Sequence, residues 1–411
     1  MSNSVIIIGG GAAGMLAAIS AAENGSAVTL IEKNEKLGKK LFITGKGRCN
    51  LTNICTDGSL IDYVVSNPKF LYSAFHEFNN FDTIDFFEKL GLKTKVERGG
   101  RVFPVSDKSS DVLKVLSKEI NRLGVKVLLN TEVSEVIVTK SGSKIIKTLN
   151  NTFKSDKIII ATGGVSYKST GSTGDGYKWA RENNINVTPV IPALVPLEVG
   201  EQWIGNLQGL SLKNIKVYFY KDNKELYSEF GELLFTHYGV SGPVILTASS
   251  YLDKEIKKNN IELKIDLKPA LSYAQLDQRL LREFSGNQNK QFKNVLTTLL
   301  PGKLKEHVSK HGPISGDKVI HEITKEDRQH FITYIKEFKL TITKYRSFDE
   351  AIITQGGVSV NEINPKTMQA KKLPGVYFAG EVLDLDAVTG GFNLQIAWSC
   401  AYIAGKQASL T

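Results

Sequence analysis

Three glycine-rich segments, far apart in the chain, carry the residue types that hold a phosphate-bearing ligand. The first is Gly9-Gly10-Gly11-Ala12-Ala13-Gly14, after an apolar run at 5–8. The second is Ala161-Thr162-Gly163-Gly164, after 158–160, and the third is Gly380-Glu381, leading into Thr389-Gly390-Gly391-Phe392-Asn393. Each is a short apolar run ending in small residues, the pattern of a buried strand that stops where another group comes close. In the first, Gly9 permits a tight turn, Gly11 lets a pyrophosphate reach the backbone, and Gly14 lets the helix pack on the sheet. That helix starts with unpaired N–H groups and a positive dipole end. A second apolar run at 28–31 ends in Glu32, 18 residues past Gly14, with Lys33 beside it. A carboxylate there accepts hydrogen bonds from both hydroxyls of an adenosine ribose. The chemistry is dinucleotide binding; the bland alternative is a strand–helix turn without a ligand.

The stretch 37–53 is dense in glycine, cations and amides, with Gly45, Arg48, Cys49 and Asn50 among them. It suits a loop running along a pyrophosphate and a ribityl chain towards a ring. Arg48 is expected to neutralise phosphate or to sit beside a reduced ring, and Asn50 to hydrogen-bond ring heteroatoms. Cys49 is expected to fill space rather than react. At the other end of the chain, Glu381 is expected against ribityl hydroxyls, with Asp384 or Asp386 as substitutes. Gly391, Asn393 and Leu394 open a last helix whose N-terminus would stabilise negative charge on a ring being reduced. Three such segments around one ligand point to FAD, with Val133, Ala161, Thr162 and Gly163 completing the set.

His237 and Tyr238, in Phe235-Thr236-His237-Tyr238-Gly239-Val240-Ser241-Gly242-Pro243, offer a proton donor beside a hydride acceptor. The alternative is a turn whose histidine satisfies backbone groups. Tyr167 and Tyr177, flanking 171–176, are weaker candidates. His307, His311, His321 and His330 read as solvated, because metal binding needs carboxylate or cysteine partners at matching spacing. No metal site, nucleophile elbow or P-loop is read from the chain.

Elements that must position these residues follow from periodicity. Residues 4–32 read strand–helix–strand, 81–90 and 111–123 read as helices, and 125–129, 133–139, 145–149 and 158–161 read as short strands. Alternation across 187–268 predicts an antiparallel β unit, 272–336 reads helical with 273–284 and 325–338 clearest, and 340–345 returns as a strand. From about Ala351 the character of the first domain returns, ending in a helix at 394–407. The expected fold class is α/β: a two-dinucleotide-binding-type FAD domain, with a Rossmann-like parallel sheet and a β-meander, interrupted by an antiparallel β unit and a helical unit. The expected domains are 1–190 (FAD-binding, first part), 191–270 (inserted β-rich substrate domain), 271–346 (helical with a returning strand) and 347–411 (FAD-binding, C-terminal part).

A chain of 411 residues is long enough for two or three domains with sizeable cores. No apolar run approaches the roughly 20 residues that span a bilayer, and the N-terminus lacks a basic region before its apolar stretch. Cys49, Cys55 and Cys400 have neither disulfide-framework nor CxxC spacing. A cytoplasmic protein, monomeric or a small homo-oligomer, is expected. The net charge is +10, and 19 Lys/Arg against 11 Asp/Glu between Lys254 and Arg346 place most of the excess there. Without a dense basic run or an aromatic-studded RNA motif, a solvated face is favoured over nucleic-acid binding, and the field would draw in an anionic substrate or a nicotinamide nucleotide.

Taken in order, the Gly9–Gly14 loop, 44–53, 161–164, 171–177, 235–246, Gln355-Gly356-Gly357-Val358 through Met368, and 380–405 resemble the BaiN/RdsA-type family of FAD-dependent oxidoreductases, also called the aminoacetone-oxidase family. The resemblance spans nearly the whole chain. It implies FAD held non-covalently at the Gly9–Gly14, Glu32, Arg48–Asn50 and 380–393 positions. Broader flavoprotein relatives end the late motif in Gly-Asp, where this chain has Gly380-Glu381. The resemblance further implies either NAD(P)H-linked reduction of a conjugated ketone or oxidation of an amine by O₂. With one complete GxGxxG, NAD(P)H would visit as a transient reductant of the flavin rather than occupy its own domain. A small-molecule flavoenzyme is preferred to a flavoprotein that binds nucleic acid.

Overall fold

The computed structural model describes residues 3–55, 58–139, 142–252, 256 and 260–410. Lys254, which opens the basic stretch, lies outside them. The chain divides into two compact units, residues 1–193 with 348–411, and residues 194–347.

The first unit is built on five parallel strands in the order Val376–Phe378, Lys157–Ile160, Ser4–Ile8, Ala27–Ile31, Lys126–Leu128. The central strand is continuous Val-Ile-Ile-Ile, because a parallel strand covered on both faces has no polar side to show. Its register aligns Ile7 with Leu30 on one side and Ile159 on the other, so all three strands stop at the same level. The chain leaves Ser4–Ile8 for Ala27–Ile31 in one direction and meets Lys157–Ile160 on the other side. That reversal of strand order opens a crevice at the carboxyl ends of the strands.

Helix Ala12–Glu23 is buried over residues 13–21. Its apolar character on every side follows from its place between the sheet and the last helix, Phe392–Ser409, itself largely apolar. The Ser20 hydroxyl donates to the Tyr402 carbonyl at 2.8 Å across that interface. The same unit holds a meander of Val133–Val138, Lys144–Thr148 and Thr152–Ser155, a small sheet of Thr52–Asn53, Arg101–Pro104 and Thr94–Glu97, and a two-stranded sheet of Ile191–Ala193 with Ile353–Gln355. Helix Ser109–Arg122 confirms the helix read at 111–123.

The second unit is a closed barrel of six antiparallel strands: Leu197–Val199, Gly239–Ser241, Lys224–Phe235, Ser211–Lys221, Ile261–Asp266 and Phe338–Tyr345. Val217, Phe219, Leu263, Ile265, Leu340 and Ile342 alternate inward and are almost fully buried. Helices Tyr273–Ser285, Gly302–His311 and Lys325–Lys336 share this core. Two of them begin with capping boxes, Ser272 with Gln275 and Thr324 with Asp327. Phe338 starts a barrel strand rather than extending the preceding helix.

Candidate functional site

The three glycine-rich segments converge at the crevice. Gly9 has φ +105°, and a Cβ there would lie 2.5 Å from the Ala161 carbonyl oxygen. A Cβ on Gly14 would overlap the Gly9 carbonyl oxygen, so helix and loop approach as closely as backbone allows. Gly11 differs: a Cβ on it would meet no atom within 4 Å. Its surroundings are open where a pyrophosphate would sit. Gly11 is also the N-cap of the first helix and supplies no side chain, which leaves the first-turn N–H groups of Ala12, Ala13 and Gly14 to a ligand.

Glu32 is 7% exposed and its carboxylate is already anchored. Oε2 accepts from the Gly10 N–H at 2.7 Å, and Oε1 accepts from the backbone and side-chain amides of Asn34 at 2.8 and 2.6 Å. Each carboxylate oxygen accepts up to two hydrogen bonds, so Oε1 is filled and Oε2 has capacity for one ribose hydroxyl, where both hydroxyls were expected. Val133 lines a groove of about 500 Å³ with Ser134, Leu149, Asp175, Lys178 and Trp179. Lys33 donates to Asp175 at 2.7 Å and to Thr173 at 2.5 Å, so its charge is spent on a neighbouring loop.

Beyond Gly38, residues Lys39–Gly47 form a short helix broken at Thr44, Gly45 and Lys46, where an extended loop was expected. Arg48 departs further from expectation. Its guanidinium meets Glu97 Oε1 and Asp107 Oδ1, both at 2.5 Å, and lies 4.1 Å from the Phe103 ring centroid. Lys95 bonds Asp107 at 2.7 Å, closing a network of two cations and two anions. The hydrogen bonds it donates to Glu97 first and Asp107 second hold the guanidinium above its ordinary range. Arg48 is therefore not a free charge awaiting phosphate. Cys49 is fully buried, and burial pushes its thiol up to about 12, which keeps it un-ionised and inert.

On the late segment, Gly380 has φ +79° and approaches Ala13 of the first helix. Glu381 is ion-paired to Lys40 at 2.6 Å and accepts from the Thr354 N–H at 2.9 Å. Lys40 was not anticipated. Asp386 is fully buried beside the Gln355 amide, at 3.1 Å. The Asn393 side chain is clamped onto Ala387, accepting from its N–H and donating to its carbonyl, so it positions the loop before the helix. Gly391 is the N-cap of the last helix, again without a side-chain cap, leaving the Phe392, Asn393 and Leu394 N–H groups without helical partners. Its φ is +103°, and a Cβ would lie 2.5 Å from the Thr52 carbonyl oxygen and 3.0 Å from Asn50 Oδ1.

Two buried side-chain oxygens along this edge, Asn50 Oδ1 and Thr162 Oγ1, have no hydrogen-bond partner. Buried polar atoms are nearly always satisfied, and one left bare costs about 1–3 kcal/mol. Two uncapped helix ends, the space at Gly11 and two orphaned oxygens fit a ligand with a pyrophosphate, hydroxyls and a polar ring. FAD is such a ligand. Among the described residues, no group of three or more His, Cys, Asp or Glu side chains is arranged to hold a metal ion, and no helix is long and apolar enough to cross a membrane.

In the second unit, the turn at 236–239 is closed by Thr236, whose Oγ1 accepts from the Gly239 N–H at 3.1 Å. His237 is exposed, its ring edge-to-face with Tyr238 at 4.7 Å. Arg346 lies over the Tyr238 ring at 4.2 Å and pairs with Glu198 at 2.6 Å. The turn's closure thus falls to Thr236 rather than to the imidazole. His307 corrects an expectation: it is buried, stacked on Trp203 at 3.9 Å, and not solvated.

A parallel sheet of this order, with paired glycine loops and two bare helix ends at its carboxyl edge, defines a flavoprotein oxidoreductase of the two-dinucleotide-binding type. The HI0933-like protein Rossmann domain family matches residues 3–407, and the chain belongs to that family of FAD-dependent oxidoreductases. The chain is 33% identical over 410 residues to a 3-dehydro-bile acid delta(4,6)-reductase of Clostridium scindens, covering 99% of each chain. It is 34% identical over 403 residues to a ribosomal RNA dihydrouridine synthase of Escherichia coli, covering 98% of this chain and 96% of that one. The fold is shared with an open-conformation flavocytochrome c3 fumarate reductase (TM-score 0.52, 14% identity, 99% of this chain and 78% of that one). It is shared too with a 3-ketosteroid delta1-dehydrogenase of Sterolibacterium denitrificans (TM-score 0.51, 12% identity, 99% and 100%).

Proposed function

We propose that the protein reduces a carbon–carbon double bond conjugated to a carbonyl, with electrons drawn from a nicotinamide nucleotide. The observation that carries the reading is the convergence of a bare helix N-terminus at Gly391 with the unpartnered Asn50 Oδ1. That pair suits the polar edge of a ring that gains negative charge on reduction. The reactions named for the relatives share one electronic demand. A bile-acid 3-ketone with conjugated double bonds and a uracil ring can both take hydride at a carbon conjugated with a carbonyl, β in uracil and β or δ in the dienone, and a proton at another carbon of the same conjugated system.

Bound in the crevice, FAD would supply the hydride. The chain's own residues do the rest. The first-turn N–H groups after Gly11 hold the pyrophosphate, Glu32 Oε2 receives a ribose hydroxyl, and Asn50 Oδ1 orients the ring by accepting from a ring N–H. The last helix stabilises charge at the ring's carbonyl edge. His237, with Tyr238 beside it, is the candidate proton donor to the substrate carbon.

A second substrate class, a uracil within RNA, is favoured by the net charge of +10 and by the dihydrouridine synthase relatives. One experiment tests both. The holoprotein is mixed anaerobically with NADH or NADPH while the flavin absorbance is followed, and then given a conjugated ketosteroid or a ribosomal RNA fragment. Bleaching by a nucleotide and recovery on one acceptor are expected. A flavin that recovers only on admission of air would make the protein an oxidase and remove the reading.

A further inference from the structure

The hairpin of Thr94–Glu97 and Arg101–Pro104 carries two kinds of positive charge. At its base, Arg48 and Lys95 are matched by Glu97 and Asp107, two cations for two anions. At its tip, Arg98-Gly99-Gly100-Arg101, both arginines are exposed and neither forms an ion pair among the described residues. Arg101 spends only its Nε, donating to the Arg98 carbonyl at 3.1 Å, so the forked end of its guanidinium is unspent. The tip therefore holds two unneutralised positive charges within one turn.

The turn is held rigidly in place. Gly99 and Gly100 have φ +76° and +70°, which close so short a connection. Buried Asn53 pairs with Arg101 in the sheet, and its Nδ2 donates to the Gly99 carbonyl at 2.9 Å and the Gly390 carbonyl at 3.1 Å. One side chain thus links the arginine tip to the residue before the N-cap of the last helix. That helix end is assigned above to the flavin's polar edge, so the turn that carries both arginines is about one side chain away from it.

The geometry points to Arg98 and Arg101 as the docking site for the pyrophosphate of the visiting nicotinamide nucleotide. The pyrophosphate carries two negative charges, matching the two bare guanidiniums, and arginine forks bind phosphate oxygens in pairs. It is separated from the nicotinamide by one ribose, a spacing comparable with the Asn53 link. Two charges on one turn suit a single pyrophosphate better than a polyanion, whose neutralisation needs many scattered phosphate contacts. The inference rests on the nucleotide-linked reading above.

The test compares wild-type holoprotein with Arg98→Ala/Arg101→Ala and Arg98→Lys/Arg101→Lys. Calorimetric titration with ADP-ribose, which has the pyrophosphate but no redox chemistry, is paired with anaerobic flavin reduction by NADH and NADPH. Losing charge-assisted contacts of about 1.5–3 kcal/mol should weaken ADP-ribose binding at least about tenfold in the alanine variant, with partial retention in the lysine variant. Both nucleotides should need correspondingly higher concentrations, while dithionite reduces all three proteins alike. Wild-type affinity in the alanine variant overturns the site and leaves the nucleotide-linked reading standing. A wild-type flavin that neither nucleotide bleaches overturns that reading and the site with it. Weakening confined to NADPH, or loss of RNA binding with ADP-ribose unaffected, also overturns the assignment.

Discussion

The Gly10 N–H donates to Glu32 Oε2 at 2.7 Å, joining the turn after the first strand to the carboxylate that ends the second. One side chain therefore does two things: it fixes the phosphate-binding turn and faces the place where a ribose would lie.

Replacing Glu32 separates those roles. Glu32→Ala leaves the buried Gly10 N–H bare and removes the ribose acceptor, at about 1–3 kcal/mol for each loss. The purified protein is expected to lose most of its FAD, read as the flavin-to-protein absorbance ratio. Glu32→Gln retains an acceptor for Gly10 and should keep more cofactor than the alanine variant. Cofactor content at the wild-type level in both would remove the ribose assignment.

Asn50 gives a test in the opposite direction for stability. Its Oδ1 is buried without a partner, so Asn50→Leu removes an unsatisfied acceptor. The apoprotein should melt a few degrees higher, since about 1 kcal/mol shifts a midpoint by roughly 2–4 °C in proteins of 150–250 residues. FAD should bind more weakly in the same variant. A stabilised apoprotein with unchanged FAD affinity would show that the orphaned oxygen does not serve the ring.

What was legible beforehand divides along physical lines. The strand–turn–helix at Ser4–Glu23 and its acid at Glu32 were readable because local sterics and phosphate chemistry dictate glycine and carboxylate at set spacings. The helix at Ser109–Arg122 was readable from its periodic apolar face. Barrel closure was not, since Leu197–Val199 pairs with Phe338–Tyr345 across more than a hundred residues. The partners of Arg48 were hidden for the same reason: Glu97 and Asp107 lie 49 and 59 residues away, one ending the first strand of a hairpin and the other just past its second, and those short strands carry no alternation signal. Lys40 looked like one of several loop cations, and only folding reveals its pairing with Glu381. His307 misled because the lack of metal-ligand partners around it left a solvated side chain as the default, while the ring is stacked on Trp203 from a distant part of the chain.

That burial makes His307 a source of acid sensitivity. Burial first, and His311 second, push its pKa down to about 4 from an ordinary value near 6.5. The unfolded chain then binds the proton more tightly, so the neutral ring's contribution is complete above about 6.5. It is lost as pH falls towards 4. His307→Phe keeps a ring against Trp203 without a titrating group. Its melting temperature should decline less than wild type between pH 6.5 and 4. Parallel curves for the two proteins would mean that other groups govern the acid limb.

His237 closes the set, because the structure leaves its ring exposed while Thr236 holds the turn. An imidazole with no part in closing the turn can be removed cheaply, so His237→Ala should melt within a degree or so of wild type. If it donates the proton, reduction of the conjugated substrate should fall by about 10²–10⁴, the range of general acid catalysis. Flavin bleaching by dithionite should be unaffected. Tyr238→Phe separates the neighbours: it keeps the ring under Arg346 and deletes only the hydroxyl. Turnover lost in Tyr238→Phe and retained in His237→Ala would transfer the proton to the tyrosine.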